Sequence, residues 1–216
     1  MGFTFAIGDI HGCLRELEVM LARVEDLAPA GHVVFVGDYI DRGPDSKGVI
    51  DLVMAGPKRQ GWRWTALKGN HEDMMVGAHH GGFDADVWKE NGGQRALQSF
   101  GGHVPDQVLR WCAELPLIHV DEHRIFVHAG VDETMPLYGQ RERDLIWKRF
   151  PADYTADFWG HHLCHGHTPV PGNPRTVGNR TNIDSGCVFG DALSCAVFDD
   201  DKPGGPVRFL RVPARS

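Results

Sequence analysis

The chain has 216 residues, of which 42% are hydrophobic and 24% are charged, a balance typical of one globular domain with a sizeable core. Its formal net charge is −7 and it contains no run of Lys or Arg, which disfavours a nucleic-acid binder. It also lacks an uninterrupted apolar stretch of about 18 residues and an N-terminal signal pattern, so we expect a cytoplasmic protein that does not enter a membrane.

The first third of the chain predicts alternating strands and helices. Apolar residues recur at three- and four-residue steps from Leu14 to Leu27 and predict an amphipathic helix. Ser46 is a candidate cap for a second helix that extends to about Met54. Alternation of this kind produces parallel strands joined by crossover helices. Three short apolar runs predict the buried strands, at residues 3–7, 33–36 and 63–67.

The rest of the chain predicts helices followed mostly by strands. Gly-Gly pairs and scattered aromatic side chains in residues 77–103 predict helices joined by glycine turns, and 106–115 predicts a further helix. We expect this region, about 77–115, to form a helical lid on a single domain spanning 1–216. Later runs predict strands, at residues 117–120, 124–127, 161–165, 176–183, 193–198 and 206–211. Together these elements predict two sheets packed face to face with helices outside.

Polar side chains follow the three predicted parallel strands at the point where each strand ends. Asp9 and His11 follow the first strand, and alternate residues of an extended segment can hold one ion together. Asp38 follows the second strand, and its two carboxylate oxygens can bridge two cations. Asn70 follows the third strand and offers a neutral amide oxygen. Ligand sites in such folds lie at the carboxyl ends of strands, so we expect these residues to meet there.

Two histidines downstream complete the candidate set. His128 and His167 each follow a predicted strand, and oxygen and imidazole donors without a thiolate suit Mn, Fe, Co, Ni or Zn. Helix caps and turns are the alternative for the Asp and Asn residues, but capping does not explain His11 or the repeated glycine-flanked pattern. His165 lies two residues before His167, and it is either a ligand or a support for one. The five cysteines include no Cys-x-x-Cys pair and are expected to be buried thiols.

Five segments resemble the signature blocks of the calcineurin-like metallophosphoesterases, namely GDIHG, GDYIDRG, GNHE, VHAG and GHTP. The GDYIDRG and GNHE forms resemble the phosphoprotein phosphatase branch, and the length resembles its small bacterial and phage members. The resemblance extends from Asp9 to about Phe198. It implies the metallophosphoesterase fold, a four-layer α/β/β/α sandwich of two mixed β-sheets flanked by helices.

The resemblance also implies a centre of two divalent transition-metal ions, with manganese expected first and Fe, Zn, Co and Ni left open. A hydroxide bridging the two ions would attack phosphorus directly. Asp38 would bridge the ions, and the full ligand set would be Asp9, His11, Asp38, Asn70, His128 and His167.

Three further residues would act together with the bound ions in phosphomonoester hydrolysis. By the resemblance, Arg42 would bind phosphoryl oxygens, with Asn70 also touching the substrate. His71 would protonate the leaving group, and Asp41 would orient His71 and keep it cationic.

The remaining parts of the substrate site are less sharply defined. Arg149 is the candidate for a second phosphate-binding residue, with Arg143 and Lys148 left open. The segment 88–93 resembles the helical region over the site in the small family members, and we expect it to shape leaving-group specificity.

Three functions are compatible with these residues. The first is a monomeric serine/threonine protein phosphatase acting on a phosphoprotein or a small phosphoester, with phosphotyrosine also open. The second is a symmetrical bis(5'-nucleosyl)-tetraphosphatase, whose members tend to carry more sequence after the last strand. The third is a metal-stabilised binding scaffold without turnover, which the intact His71, Asp41 and Arg42 disfavour.

Overall fold

The computed structural model describes residues 2–215. Within this range ten strands, β1 to β10, cover in chain order Phe3–Ile7, Gly31–Phe35, Trp62–Ala66, Ile118–Val120, Arg124–Val127, His162–His165, Arg175–Val177, Arg180–Asn182, Ala192–Asp199 and Arg208–Pro213. Seven α-helices, α1 to α7, cover Leu14–Leu27, Ser46–Ala55, Asn70–His80, Ala85–Trp88, Gln94–Ser99, Asp106–Glu114 and Glu142–Trp147. No helix among these residues is long and apolar enough to cross a membrane.

The strands form two mixed sheets of five strands each. The first has the order β10-β9-β1-β2-β3, and the second has the order β4-β5-β6-β8-β7. In the first sheet β1, β2 and β3 are parallel, and β9 runs antiparallel to β1. In the second sheet β5, β6 and β8 are parallel. The expectation of two mixed sheets flanked by helices is confirmed.

Three apolar clusters hold the layers together. The largest packs α1, α2 and the lid helices against the outer face of the first sheet, and another packs α7 against the second sheet. The cluster between the sheets is fully buried and consists of Ala6, Val34, Val36, Leu67, Phe126, Cys164, Ile183, Ala196 and Phe198. Burial of this kind contributes roughly 25 cal/mol per Å² of apolar surface. The five cysteines are buried free thiols, as expected.

Several local predictions differ from the structure. The single strand predicted over 176–183 is wrong, because a turn at Gly178 (φ 54°) divides it into the antiparallel pair β7 and β8. The cap of α2 is Asp45, whose carboxylate accepts from the Gly48 N–H at 2.8 Å. Ser46 instead accepts from the Asp41 N–H at 3.0 Å. The single domain over 1–216 stays a prediction, and residues 1 and 216 lie outside the described range.

A buried histidine in β6 makes the fold sensitive to acid. His162 is 3% exposed, and its Nε2 lies 2.8 Å from the Thr181 hydroxyl. Burial lowers the pKa of His162 from 6.5 to about 4. The unfolded chain therefore binds the proton more tightly, so this contribution to stability is complete above pH 6.5 and is lost as the pH falls toward 4. Between pH 7.5 and pH 5 it amounts to about 2 kcal/mol.

We expect the free energy of unfolding of a His162→Gln variant to change less between these two pH values than that of the parent chain, by about 2 kcal/mol. Urea unfolding at pH 7.5 and pH 5 measures the difference. His161→Gln, at the less buried neighbouring position, is the matched control. An identical pH dependence in parent chain and His162→Gln would contradict the assignment.

Candidate metal centre and active site

The structure brings the six predicted metal ligands together at one edge of the two sheets. Four of them follow β1, β2 and β3 of the first sheet, and two follow β5 and β6 of the second. No member of the set is more than 5% exposed. They are Asp9, His11, Asp38, Asn70, His128 and His167.

Backbone carbonyls fix the orientation of two of the histidine rings. His11 Nδ1 lies 2.7 Å from the Ile40 carbonyl oxygen, and His128 Nδ1 lies 3.0 Å from the Val36 carbonyl oxygen. A carbonyl can only accept, so both rings carry their proton on Nδ1 and present the bare lone pair of Nε2. The two Nε2 atoms lie 3.4 Å from different oxygens of Asp38. Asp38 is therefore placed to bridge two ions.

A second set of lone pairs converges on Asn70. Its Oδ1 lies 2.9 Å from His128 Nε2 and 2.9 Å from His167 Nδ1, and these two nitrogens are 3.2 Å apart. Ligand atoms of Asp38, His128 and His167 all lie within 4.8 Å of one another, as do those of His11, Asp38 and His71. Several oxygen and nitrogen lone pairs therefore lie close together with few hydrogen atoms between them. A bound cation would stabilise this arrangement. The donor set thus fits two divalent transition-metal ions.

Asp9 is placed differently from the other candidates. Its two oxygens accept from the His167 N–H at 3.1 and 3.0 Å, and among residues 2–215 it belongs to neither group of converging ligand atoms. Burial, followed by the nearby Asp184 and Asp38, raises its pKa well above 3.8. Sequence reasoning missed Asp184, a second buried carboxyl near Asp9, whose pKa burial raises to about 6. Its position just after β8 was the available signal.

The backbone around the centre is strained. Among residues 2–215, seven non-glycine residues have positive φ, and five of them belong to the predicted site. Such conformations cost of order 1–3 kcal/mol each and persist where the surrounding contacts enforce them. The five are His11 (45°), Asp38 (54°), Asp41 (73°), Arg42 (65°) and His167 (65°).

A hydrogen-bonded chain runs from the lid to His71. His71 Nδ1 lies 2.6 Å from Asp41 Oδ2, and Asp41 also accepts from the indole N–H of Trp88 at 3.0 and 3.3 Å. Trp88 is 2% exposed and Asp41 is fully buried. The lid therefore contacts the predicted acid through Asp41, which sequence spacing did not reveal.

The protonation of His71 differs from the expectation that Asp41 keeps it cationic. Burial, followed by His11 and Arg42, lowers the pKa of His71 well below 6.5. Burial also raises the pKa of Asp41, so burial disfavours the charged form of both partners. A phosphate dianion beside the ring would favour the imidazolium and raise the pKa of His71 again.

Glu72 ties two of the loops together. Its fully buried carboxylate accepts from the backbone N–H groups of Asp38, Tyr39 and Gly69, each at 2.9 Å. The loop after β2 is thereby fixed against the loop after β3. Residue spacing alone does not reveal this cross-link.

Arg42 lies in the centre and is held by the lid. Its Nη1 lies 2.6 Å from His11 Nε2, so the guanidinium and a metal ion would compete for that lone pair. Its backbone N–H donates to the Gly92 carbonyl at 3.2 Å. A Cβ at Gly92 would lie 2.6 Å from the Arg42 side chain and 2.7 Å from its backbone nitrogen, which together with a φ of 111° explains glycine there.

Of the three candidates for a second phosphate-binding residue, Arg149 lies in the most suitable position. It lines the site cavity, with Nη1 3.4 Å from the His167 carbonyl oxygen. Lys148 instead donates to the Val131 carbonyl at 2.6 Å, and Arg143 lines a neighbouring cavity.

His165 does not present a free nitrogen to the centre. Its Nε2 lies 2.8 Å from Arg180 Nη1, and its Nδ1 lies 2.9 Å from the Gly166 carbonyl oxygen. Both ring nitrogens are therefore engaged, which favours a supporting role for His165 over ligation.

The fold and the converging ligands define a phosphoester hydrolase of the metal-dependent class. The sequence profile of the calcineurin-like phosphoesterases matches residues 4–202. The chain therefore belongs to the calcineurin-like metallophosphoesterases, a family of binuclear metal-dependent enzymes.

The names of similar proteins specify different enzymatic activities. The chain is 31% identical to the asymmetrical bis(5'-nucleosyl)-tetraphosphatase PrpE of Oceanobacillus iheyensis, over 90% of this chain and 88% of that protein. It is 33% identical to serine/threonine-protein phosphatase 1 of Salmonella typhimurium, over 89% of this chain and 90% of that protein. A solved structure provisionally named a diadenosine tetraphosphatase aligns with a TM-score of 0.70 and 25% identity, covering 99% of this chain and 94% of that one.

Proposed function

We propose that this chain is a metal-dependent phosphomonoesterase whose substrates are phosphoserine and phosphothreonine side chains, with phosphotyrosine as a further substrate. The observation that carries the proposal is the convergence of two groups of ligand atoms on Asp38, next to the His71–Asp41 pair. In this proposal the six predicted ligands hold two divalent ions, with Mn²⁺ preferred. The ions would neutralise phosphoryl charge and supply a deprotonated water.

The chain's own residues would position and protonate the substrate. Arg42 and Arg149 line the same cavity of about 270 Å³, and their planar guanidinium groups suit phosphoryl oxygens. Asn70 also lines this cavity, next to His71. His71 would donate its proton to the leaving oxygen, and the hydrogen bond from Nδ1 to Asp41 would keep the ring facing the substrate.

The similarity to serine/threonine-protein phosphatase 1 of Salmonella typhimurium supports a protein substrate. We also expect this chain to be a cytoplasmic monomer that binds no nucleic acid.

Dinucleoside tetraphosphates are the second candidate substrates. Relatives that align with most of this chain are named asymmetrical bis(5'-nucleosyl)-tetraphosphatases. One named symmetrical aligns with only 59% of this chain and 43% of its own length. If this chain hydrolyses a tetraphosphate, we therefore propose asymmetrical cleavage in place of the symmetrical cleavage first expected.

A substrate panel tests both candidates. Metal-free protein is loaded with Mn²⁺ and given p-nitrophenyl phosphate, a phosphoserine peptide and diadenosine tetraphosphate. We expect metal-dependent hydrolysis, with the larger kcat/KM on the peptide. A much larger kcat/KM on the dinucleotide would replace the first candidate with the second. Failure to hydrolyse any of the three would overturn both.

Replacing Trp88 by phenylalanine should weaken catalysis without unfolding the lid. The variant keeps a ring in the buried position but removes the N–H that donates to Asp41 at 3.0 Å. Because a hydrogen bond to a carboxylate is worth about 1.5–3 kcal/mol, we expect about a tenfold loss of kcat on alkyl phosphates and a smaller loss on p-nitrophenyl phosphate. Trp64→Phe, in β3, is the control. Equal losses on the two substrates would argue against a link through His71.

A further inference from the structure

An exposed aromatic side chain stands at the mouth of the site cavity. Phe189 ends the short 3₁₀ turn Cys187–Phe189 that follows β8, and it is 67% exposed. It nevertheless lines the same cavity as the predicted ligands and arginines. A ligand that covered this ring would gain the free energy of apolar burial.

Charge and a second aromatic ring adjoin Phe189. The Arg42 guanidinium carbon lies 5.6 Å from the centroid of the Phe189 ring, within the range of a cation–π contact. Trp147 is 37% exposed, lines the same cavity, and packs edge-on against the His167 ring at 6.1 Å. One cavity thus contains phosphate-binding cations and two partly exposed aromatic faces.

From this arrangement we propose that Phe189 and Trp147 form a subsite for a planar aromatic ring carried by the phosphoester substrate. A nucleobase and a phenol ring share that chemistry, since both present a flat π-face at a short distance from phosphate. The inference rests on the proposed phosphoesterase function and adds to it a preference between substrates. The arginines hold the phosphate, and the aromatic pair selects what is attached to it.

Binding of non-hydrolysable analogues tests the subsite without turnover. Calorimetry on Mn²⁺-loaded protein compares the methylenephosphonate analogue of AMP, phenylphosphonate and inorganic phosphate. We expect Phe189→Ala to weaken binding of at least one ring-bearing phosphonate about tenfold, and that of inorganic phosphate much less. Phe189→Leu should behave like Phe189→Ala, and Phe189→Tyr should bind like the parent chain. Tyr138→Ala is the matched control, because Tyr138 is 95% exposed and lies outside the lining of this cavity.

The pattern of losses identifies the ring. Weaker binding of the AMP analogue alone assigns a nucleobase, and weaker binding of phenylphosphonate alone assigns a phenol. Equal weakening of all three ligands, or unchanged binding of both ring-bearing ligands, overturns the subsite. So does a Phe189→Leu variant that binds like the parent chain. If the parent chain binds these ligands but hydrolyses none of the panel substrates, the proposed function fails and the subsite stands.

Discussion

A His71→Asn variant should keep its metal ions yet hydrolyse alkyl phosphate esters about 10²–10⁴-fold more slowly than the parent chain, because general acid catalysis contributes on that order. The asparagine amide can still reach Asp41, which accepts from His71 Nδ1 at 2.6 Å, but it cannot deliver a proton to an alkoxide. p-Nitrophenolate leaves readily without protonation, so the loss on p-nitrophenyl phosphate should be much smaller. Steady-state kinetics on the two esters, with metal content measured in parallel, give the comparison.

His103→Asn is the matched control, because His103 is exposed and does not line the site cavity. It should leave both rates unchanged. Equal losses on the two esters in His71→Asn would remove His71 from the role of acid. Loss of metal from that variant would instead indicate that His71 is a metal ligand. Its ring nitrogen lies close enough to ligand atoms of His11 and Asp38 for that role.

An Asp38→Asn variant should have opposite effects on activity and on the stability of the metal-free protein. Asp38 is the shared member of both ligand groups, so losing its charge should release metal and lower kcat/KM by about 10³-fold. In the metal-free protein, burial and the nearby Glu72 raise the pKa of Asp38 well above 3.8, so its charge at neutral pH destabilises the fold. An amide at this position carries no such charge.

We therefore expect Asp38→Asn to melt a few degrees higher than the parent chain in chelator and lower than it in Mn²⁺, since about 1 kcal/mol corresponds to roughly 2–4 °C for a chain of this size. Thermal unfolding under both conditions measures the crossover. Asp51→Asn, at an exposed position of α2, should show neither effect. A lower Tm for Asp38→Asn in chelator would show that the buried charge does not destabilise the metal-free fold.

The sequence predicted most of the fold and the six ligand candidates because both depend on local pattern. Apolar runs and helical spacing placed the first three strands and α1 within two residues of their observed bounds. Each ligand candidate lies within four residues of a strand end, where the topology of parallel strands brings polar residues together.

The other site residues act through contacts that sequence spacing does not encode. Glu72 binds the backbone of Asp38 and Tyr39, 34 and 33 positions away, and Trp88 reaches Asp41 across 47 positions. The lowered pKa of His71 also follows from burial, which residue spacing does not reveal. The turn at Gly178 was missed because a short hairpin of polar residues resembles one continuous strand in its composition.

The hydrogen bond from the His167 N–H to Asp9 has a consequence for folding kinetics. It joins two residues that are 158 positions apart, so it closes a loop that contains most of the chain. Asp9 follows a strand of the first sheet, and His167 follows a strand of the second. Loop-closure entropy rises with the logarithm of loop length, and contacts of high sequence separation form slowly. The centre should therefore be among the last parts of the chain to assemble. After dilution from denaturant, enzymatic activity should return later than far-ultraviolet circular dichroism.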